Sequence, residues 1–245
     1  MFWQAIDNSL DVYSNYISFA YMKKYAVIVA GGSGQRMGGD IPKQFLLLNG
    51  QSLLQHTILA FANTFADIEI IVVLPLSHLA TGERLVNDLH LSSSFHFIAG
   101  GATRFHSVKN GLTLVESPSI IFVHDAVRCL VKTDLIKRCY EQTMIKGSAV
   151  PAINSTDSIR LQTDIGSHTI DRNTVKIIQT PQTFKSELLL PAFQQDYKEN
   201  FTDEATVVEF YGQPVFLIEG EYTNLKITHP IDLLIAEQLM EASTA

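Results

Sequence analysis

Short runs of β-branched and other apolar residues alternate along this chain with longer stretches in which apolar residues recur every three or four positions. The runs Tyr25–Val29, Ile70–Leu74, Phe95–Ile98, Ile120–Val123, Ser148–Ala152, Lys176–Gln179 and Val215–Ile218 predict strands. They are continuously apolar rather than alternating, as expected of strands covered on both faces. The helical stretches begin with Leu53–Ala62, which follows Ser52, a good N-cap. Arg104–Val115 carries Val108, Leu112 and Val115 on one face, and Thr133–Lys146, Ser186–Asp196 and Asp203–Tyr211 follow. Pro230 opens a last helix with Ile231, Leu234, Ile235 and Leu239 in an apolar stripe. This alternation predicts an α/β fold, a mostly parallel twisted sheet flanked by helices, with ligands beyond the carboxyl ends of the strands.

Two segments depart from the rhythm. Ser158–Gln162 and His168–Arg172 alternate around the turn residues Asp164 and Gly166, which reads as a β-hairpin. Ile159, Leu161 and Ile170 are its few apolar contacts, and a lone two-stranded hairpin is marginal in water. An arm over about residues 154–173 that packs on a second subunit is the expectation, with a surface hairpin lying on its own domain as the alternative. The other segment is residues 1–21. It has no basic leader region, and Asp7, Asn8, Asp11 and Asn15 interrupt its apolar positions, so it reads as neither a signal peptide nor a membrane span. Met22-Lys23-Lys24 runs directly into the first strand, so residues 1–21 are expected to be a dispensable extension of a single domain over residues 22–245.

Composition narrows the partners. The chain has 245 residues, 46% of them hydrophobic, enough to bury a sizeable core. Its formal net charge of -7 argues against non-specific nucleic-acid binding, which needs many Lys and Arg on phosphates. Any polyanion must be held by a few well-placed cations. Two cysteines, Cys129 and Cys139, share no metal-ligand spacing with other Cys or His residues, and a reducing cytoplasm is expected.

The chemistry concentrates in the turns after the strands. Val29-Ala30-Gly31-Gly32-Ser33-Gly34-Gln35-Arg36-Met37 follows the first strand, and Pro42-Lys43-Gln44 comes soon after. A glycine turn there lets backbone N–H groups approach phosphate oxygens. A dinucleotide fingerprint would need glycine where Met37 stands, and a Walker loop would need Ser or Thr after the lysine, where Gln44 stands. A glycine turn carrying Arg36 and Lys43 over a triphosphate suits nucleotidyl transfer. His124-Asp125-Ala126-Val127-Arg128 follows the strand Ile120–Val123 and puts a carboxylate where Mg²⁺ can bind together with substrate phosphates. Gly100-Gly101-Ala102-Thr103-Arg104-Phe105-His106-Ser107 offers close approach to a flat base and a hydroxyl for its edge. His124 reads as structural, and Asp171-Arg172, Thr202-Asp203-Glu204 and Asn224-Leu225-Lys226 complete the candidates.

Taken together and in order, these motifs resemble the 2-C-methyl-D-erythritol 4-phosphate cytidylyltransferases of non-mevalonate isoprenoid biosynthesis, from about Tyr25 to Glu237. The resemblance implies a nucleotide-diphospho-sugar transferase fold and a homodimer clasped by the hairpin arm. It implies transfer of CMP from CTP to the phosphate of a polyol phosphate with release of pyrophosphate, assisted by Mg²⁺ on Asp125. Arg36 and Lys43 match residues that stabilise triphosphate charge. Arg172, acting in trans, and Lys226 match residues that position the incoming phosphate. Ala30, Gly31, Gly32, Ser33, Gly34, Gly101, Arg104, Ser107 and Asp125 become nucleotide-binding candidates, and Asp125, Ala126, Ser158 and Thr202 join Arg172 and Lys226 at the second substrate. The usual His-Asp-Ala-Ala-Arg-Pro appears here with Val127 and Cys129 in place of the second Ala and the Pro, and Ser158 stands for a Thr. No charge required by the mechanism is lost. Ribitol 5-phosphate as the acceptor, a sugar-1-phosphate nucleotidyltransferase using UTP or GTP, and a non-catalytic nucleotide-binding dimer module are the alternatives.

Overall fold

The computed structural model describes residues 22–31 and 41–244; residues 1–21, 32–40 and 245 lie outside the described residues, and with them the expected N-terminal extension and Gly32, Ser33, Gly34, Arg36 and Met37. The strands are β1 (Lys23–Val29), β2 (Leu47–Leu48), β3 (Gln51–Ser52), β4 (Ile68–Leu74), β5 (Ser94–Ala99), β6 (Ser119–Asp125), β7 (Ser148–Asn154), β8 (Ile159–Thr163), β9 (Gly166–Ile170), β10 (Lys176–Ile178), β11 (Gln182–Lys185) and β12 (Leu217–Glu219). The helices are α1 (Leu53–Thr64), α2 (Leu79–Asn87), α3 (Arg104–Leu112), α4 (Thr133–Lys146), α5 (Ser186–Ala192), α6 (Glu204–Phe210) and α7 (Pro230–Thr244).

The main sheet places β6, β1, β4 and β5 side by side in parallel. β11 runs antiparallel to both β6 and β7, and β7 also pairs with β10 antiparallel and with β12 parallel. Strand pleat explains the continuous apolar runs, because successive side chains point to opposite faces. On one face Ala26, Ile28, Ile70 and Val72 meet Ile58 and Phe61 of α1 and Leu135 of α4. On the other Tyr25, Val27, Ile71 and Val73 meet Phe105 and Val108 of α3 and Val208 of α6. Ser52 caps α1 as expected: its hydroxyl accepts from the Gln55 N–H, and the Gln55 side chain accepts from the Ser52 N–H.

Three features differ from the sequence expectation. Helix α2, the β2–β3 hairpin and β11 were not foreseen. Several helices are shorter than their patterns, α3 ending at Leu112 and α5 at Ala192. In α7 the expected stripe is not the packed face: Ile231, Leu234 and Ile235 are exposed. Leu233, Ala236 and Met240 pack instead on Leu48, Leu53 and Ile227. They too are spaced three and four residues apart, so the helix offers two apolar stripes, and the one with small Ala236 at its centre sits against the body. The arm forms its own two-stranded sheet, pairing Ile159 with Ile170 and Leu161 with His168. Among the described residues no helix is long and apolar enough to cross a membrane.

Candidate active site

The site lies where β1 and β6 end. Val29 and Asp125 are register partners, so the parallel pairing brings the glycine turn and the carboxylate together. The backbone is pinned at this point: Ala30 N–H donates to Val73 O (2.8 Å), Ala126 N–H to Val29 O (3.0 Å) and Asp125 N–H to Thr180 Oγ1 (3.1 Å).

Asp125 is buried and surrounded by cations. Arg104 Nε donates to Oδ1 at 3.2 Å, Lys226 Nζ to Oδ2 at 2.8 Å, and Arg128 Nε lies 3.8 Å from Oδ2. Burial opposes ionisation, but Arg104 and then Lys226 outweigh it and hold the carboxyl well below the usual carboxylate range. Arg104 reaches onward: its two terminal nitrogens donate to the two carboxylate oxygens of buried Glu204, a bidentate pair. Lys226 is carried on a loop fixed from below, because Asn224 Nδ2 donates to Thr180 O (2.8 Å) and Ile227 N–H to Val127 O (2.9 Å). Lys43 enters from a 3₁₀ turn, Lys43–Phe45, and is largely buried.

The second glycine motif meets its helix at close range. Thr103 caps α3, accepting from His106 N–H. A Cβ on Gly101 would fall 2.4 Å from His106 Cβ and 3.0 Å from its carbonyl carbon, so only glycine lets the chain pass the first turn of α3. The glycine here is required by the helix as well as by any ligand. Ser107 Oγ accepts from Gly101 N–H (3.1 Å) and donates to Thr103 O (3.0 Å) while facing the cavity.

One cavity of about 290 Å³ brings together Ala30, Gly31, Lys43, Gly101, Arg104, Ser107, Asp125 and Lys226. Of the remaining predicted residues, Ala126 is buried beside it, in the core under β6. Ser158, Arg172 and Thr202 are exposed and do not line it. Arg172 lies at the end of the arm, where one terminal nitrogen donates to Thr156 O at 2.9 Å. Sequence reasoning assigned no role to Gln44, Arg128, Thr180, Glu204 or Asn224. All but Thr180 stood inside quoted motifs, but nothing in the sequence pairs Glu204 with an arginine 100 positions away.

Lys43, Arg104, Arg128 and Lys226 outnumber Asp125 and Glu204, so an acidic protein holds a locally cationic pocket suited to phosphates. Among the described residues no three His, Cys, Asp or Glu side chains cluster to cage a metal. A lone carboxylate fits Mg²⁺, which commonly takes one or two carboxylates together with substrate phosphates and water. Neither cysteine is poised as a nucleophile: both are buried, and burial pushes each thiol up to about 12.

His124 is structural, as expected. It is fully buried with Nδ1 3.0 Å from Thr180 Oγ1 and Nε2 3.1 Å from Arg128 O, and burial lowers its pKa to about 4. The unfolded ring takes a proton near 6.5 and the folded ring does not, so stability falls with pH between those two values. The ligand-free protein is expected to lose about 3 kcal/mol from this source between pH 7 and pH 4. Urea unfolding across that range, with and without His124→Gln, checks it: an equally steep loss in the variant would clear His124 of the effect.

The comparisons with known proteins agree with this geometry. The family model for 2-C-methyl-D-erythritol 4-phosphate cytidylyltransferase matches residues 24–242. A protein of that name from Phocaeicola vulgatus is 45% identical over 219 residues, covering 89% of this chain and 100% of the relative. One from Bacteroides thetaiotaomicron has the same identity and coverage. The crystal structure of 2-C-methyl-D-erythritol 4-phosphate cytidylyltransferase from Thermus thermophilus superposes with a TM-score of 0.70 at 31% identity, covering 90% of this chain and 100% of that one. The chain belongs to the 2-C-methyl-D-erythritol 4-phosphate cytidylyltransferase family.

Proposed function

We propose that this protein transfers CMP from CTP to the phosphate of 2-C-methyl-D-erythritol 4-phosphate, giving 4-diphosphocytidyl-2-C-methyl-D-erythritol and pyrophosphate for isoprenoid synthesis. The observation that carries the residue assignment is the convergence of Lys43, Arg104 and Lys226 on one cavity around Asp125. A phosphate dianion must attack the α-phosphorus of an anionic triphosphate. It is already a competent nucleophile, so the protein's task is to position and to neutralise. Lys43, with Arg36 from the glycine turn, covers the triphosphate. Lys226 exchanges its contact with Asp125 for the incoming phosphate. Gly101 and Ser107 border the base, and Arg104, held by Glu204, keeps Asp125 ionised. Mg²⁺ on Asp125 would supply further neutralisation of the triphosphate when bound.

A homodimer in a reducing, cytoplasmic setting completes the reading. It is supported by the projecting arm, whose Leu161 and Ile165 are exposed, and by the two free thiols. Arg172 would then serve the partner's site. Arg172→Ala is expected to raise the Michaelis constant for the polyol phosphate about tenfold or more, in keeping with the loss of a charge-assisted hydrogen bond. Mixing Arg172→Ala chains with Lys43→Ala chains should restore part of the rate, because a mixed dimer rebuilds one intact site. No recovery would place Arg172 in its own chain's site.

The reaction is tested by pyrophosphate release from CTP and Mg²⁺ with 2-C-methyl-D-erythritol 4-phosphate or ribitol 5-phosphate in parallel. Turnover with the erythritol compound alone is expected. Turnover with ribitol 5-phosphate alone would keep the chemistry and replace the substrate, and no turnover with either would leave a nucleotide-binding module.

A further inference from the structure

Gln44 is the one side chain of the cavity wall that is buried, polar and left unsatisfied among the described residues. It is 1% exposed, lines the cavity beside Lys43, and its Nε2 has no hydrogen-bond partner. Its backbone has little freedom to change this. Phe45 N–H donates to Pro42 O (2.9 Å) and Leu46 N–H to Lys43 O (3.0 Å), closing the 3₁₀ turn. Phe45 packs into the core and sets its ring edge-on to His78. The carboxamide is therefore held at the cavity rather than free to reach solvent. Buried donors are nearly always paired, and an unpaired one is costly, so a persistent exception calls for a partner that arrives later.

We propose that Gln44 is a nucleotide-binding residue whose Nε2 donates to an acceptor oxygen of bound CTP. This rests on the reaction assigned above. An amide nitrogen is a donor only, so the partner is a phosphate, ribose or base oxygen rather than a cation or an amine. The nucleotide is chosen over the second substrate by position. Gln44 shares its turn with Lys43, which is assigned to the triphosphate, whereas Lys226, assigned to the polyol phosphate, lines the same cavity from the loop after β12. A site built to meet a polar partner discriminates strongly against ligands lacking it, which gives the wall a part in selectivity as well as affinity.

The test uses Gln44→Met, close in volume and without the polar group, and Gln44→Glu, which replaces the donor with a negative charge. CTP affinity is measured by calorimetry with Mg²⁺, alongside steady-state constants and the melting temperature of the free protein. Gln44→Met is expected to weaken CTP about tenfold, the loss of one hydrogen bond to a charged or polar acceptor. The melting temperature of the free protein should hold or rise, because an unsatisfied amide has been removed. Gln44→Glu should weaken CTP further. An unchanged CTP affinity with a lowered melting temperature would overturn the proposal in favour of a packing role. A raised Michaelis constant for the polyol phosphate alone would overturn it by assigning the donor to the other substrate. Failure of the unaltered protein to bind CTP would instead sink the reaction itself, so the two failures are distinct.

Discussion

Lys43→Ala is expected to lower the rate of pyrophosphate release at saturating substrates by about 10²–10³, the usual loss when one preorganised charge-stabilising donor is removed. Lys43 is largely buried on the cavity wall, so its charge acts through little water and counts for more than a surface lysine would. The charge it meets grows as the phosphate dianion attacks, so the loss should fall on kcat more than on CTP binding. Lys43→Arg keeps the charge but changes the shape of the head group, and partial recovery is expected from it. The check is a kcat and KM series for both substrates in the three proteins. A loss confined to the Michaelis constant of CTP would make Lys43 an anchor for the ground state, with no special part at the transition state.

The parts legible in the sequence are those set by local chemistry. β1, β4 and β6 stood out because both faces are covered, leaving uninterrupted apolar runs such as Ile120–Val123. The glycine and cation motifs stood out because strand ends in such a sheet are where ligands gather. β11 was missed because Gln182-Thr183-Phe184-Lys185 holds a single large apolar residue. Its polar members are buried through tertiary partners, Gln182 donating to Asp203 and accepting from Ala205 N–H. Helix α7 exposes the stripe that periodicity favoured, since periodicity alone cannot choose between two apolar faces. In the site, Asp125 and Lys226 were each recognisable. Their contact was not, nor was the orphaned amide of Gln44, because both depend on how distant loops close over the ends of β1 and β6.

Glu204 is expected to be the most stability-sensitive residue of the site, although its partner Arg104 lies 100 positions away in sequence. Asp203 caps α6 by accepting from Thr206 N–H, which fixes Glu204 at the first position of that helix and turns its carboxylate inward. There it is 1% exposed and gives both oxygens to Arg104. Burial raises the Glu204 carboxyl while Arg104 opposes it, so the carboxylate depends on a guanidinium that stays charged in any case. Removing one partner of a buried ion pair costs about 3–5 kcal/mol where the other is left uncompensated; Arg104 keeps Asp125, which puts the expected loss at the lower end, about 3 kcal/mol. Glu204→Leu should therefore lower the melting temperature by roughly 10 °C, at about 2–4 °C per kcal/mol for a chain of this size. Replacing both partners by apolar residues removes the stranded charge, and Asp125 keeps Lys226 and Arg128. Glu204→Leu with Arg104→Met should accordingly be more stable than Glu204→Leu alone, a positive coupling that a double-mutant cycle measures directly. Additive losses would mean that the pair is not coupled in solution. Glu204→Gln keeps the shape and one acceptor but removes the charge, and it is the variant for activity. With Glu204 neutral, Arg104 is drawn onto Asp125, and kcat should fall while the protein remains folded.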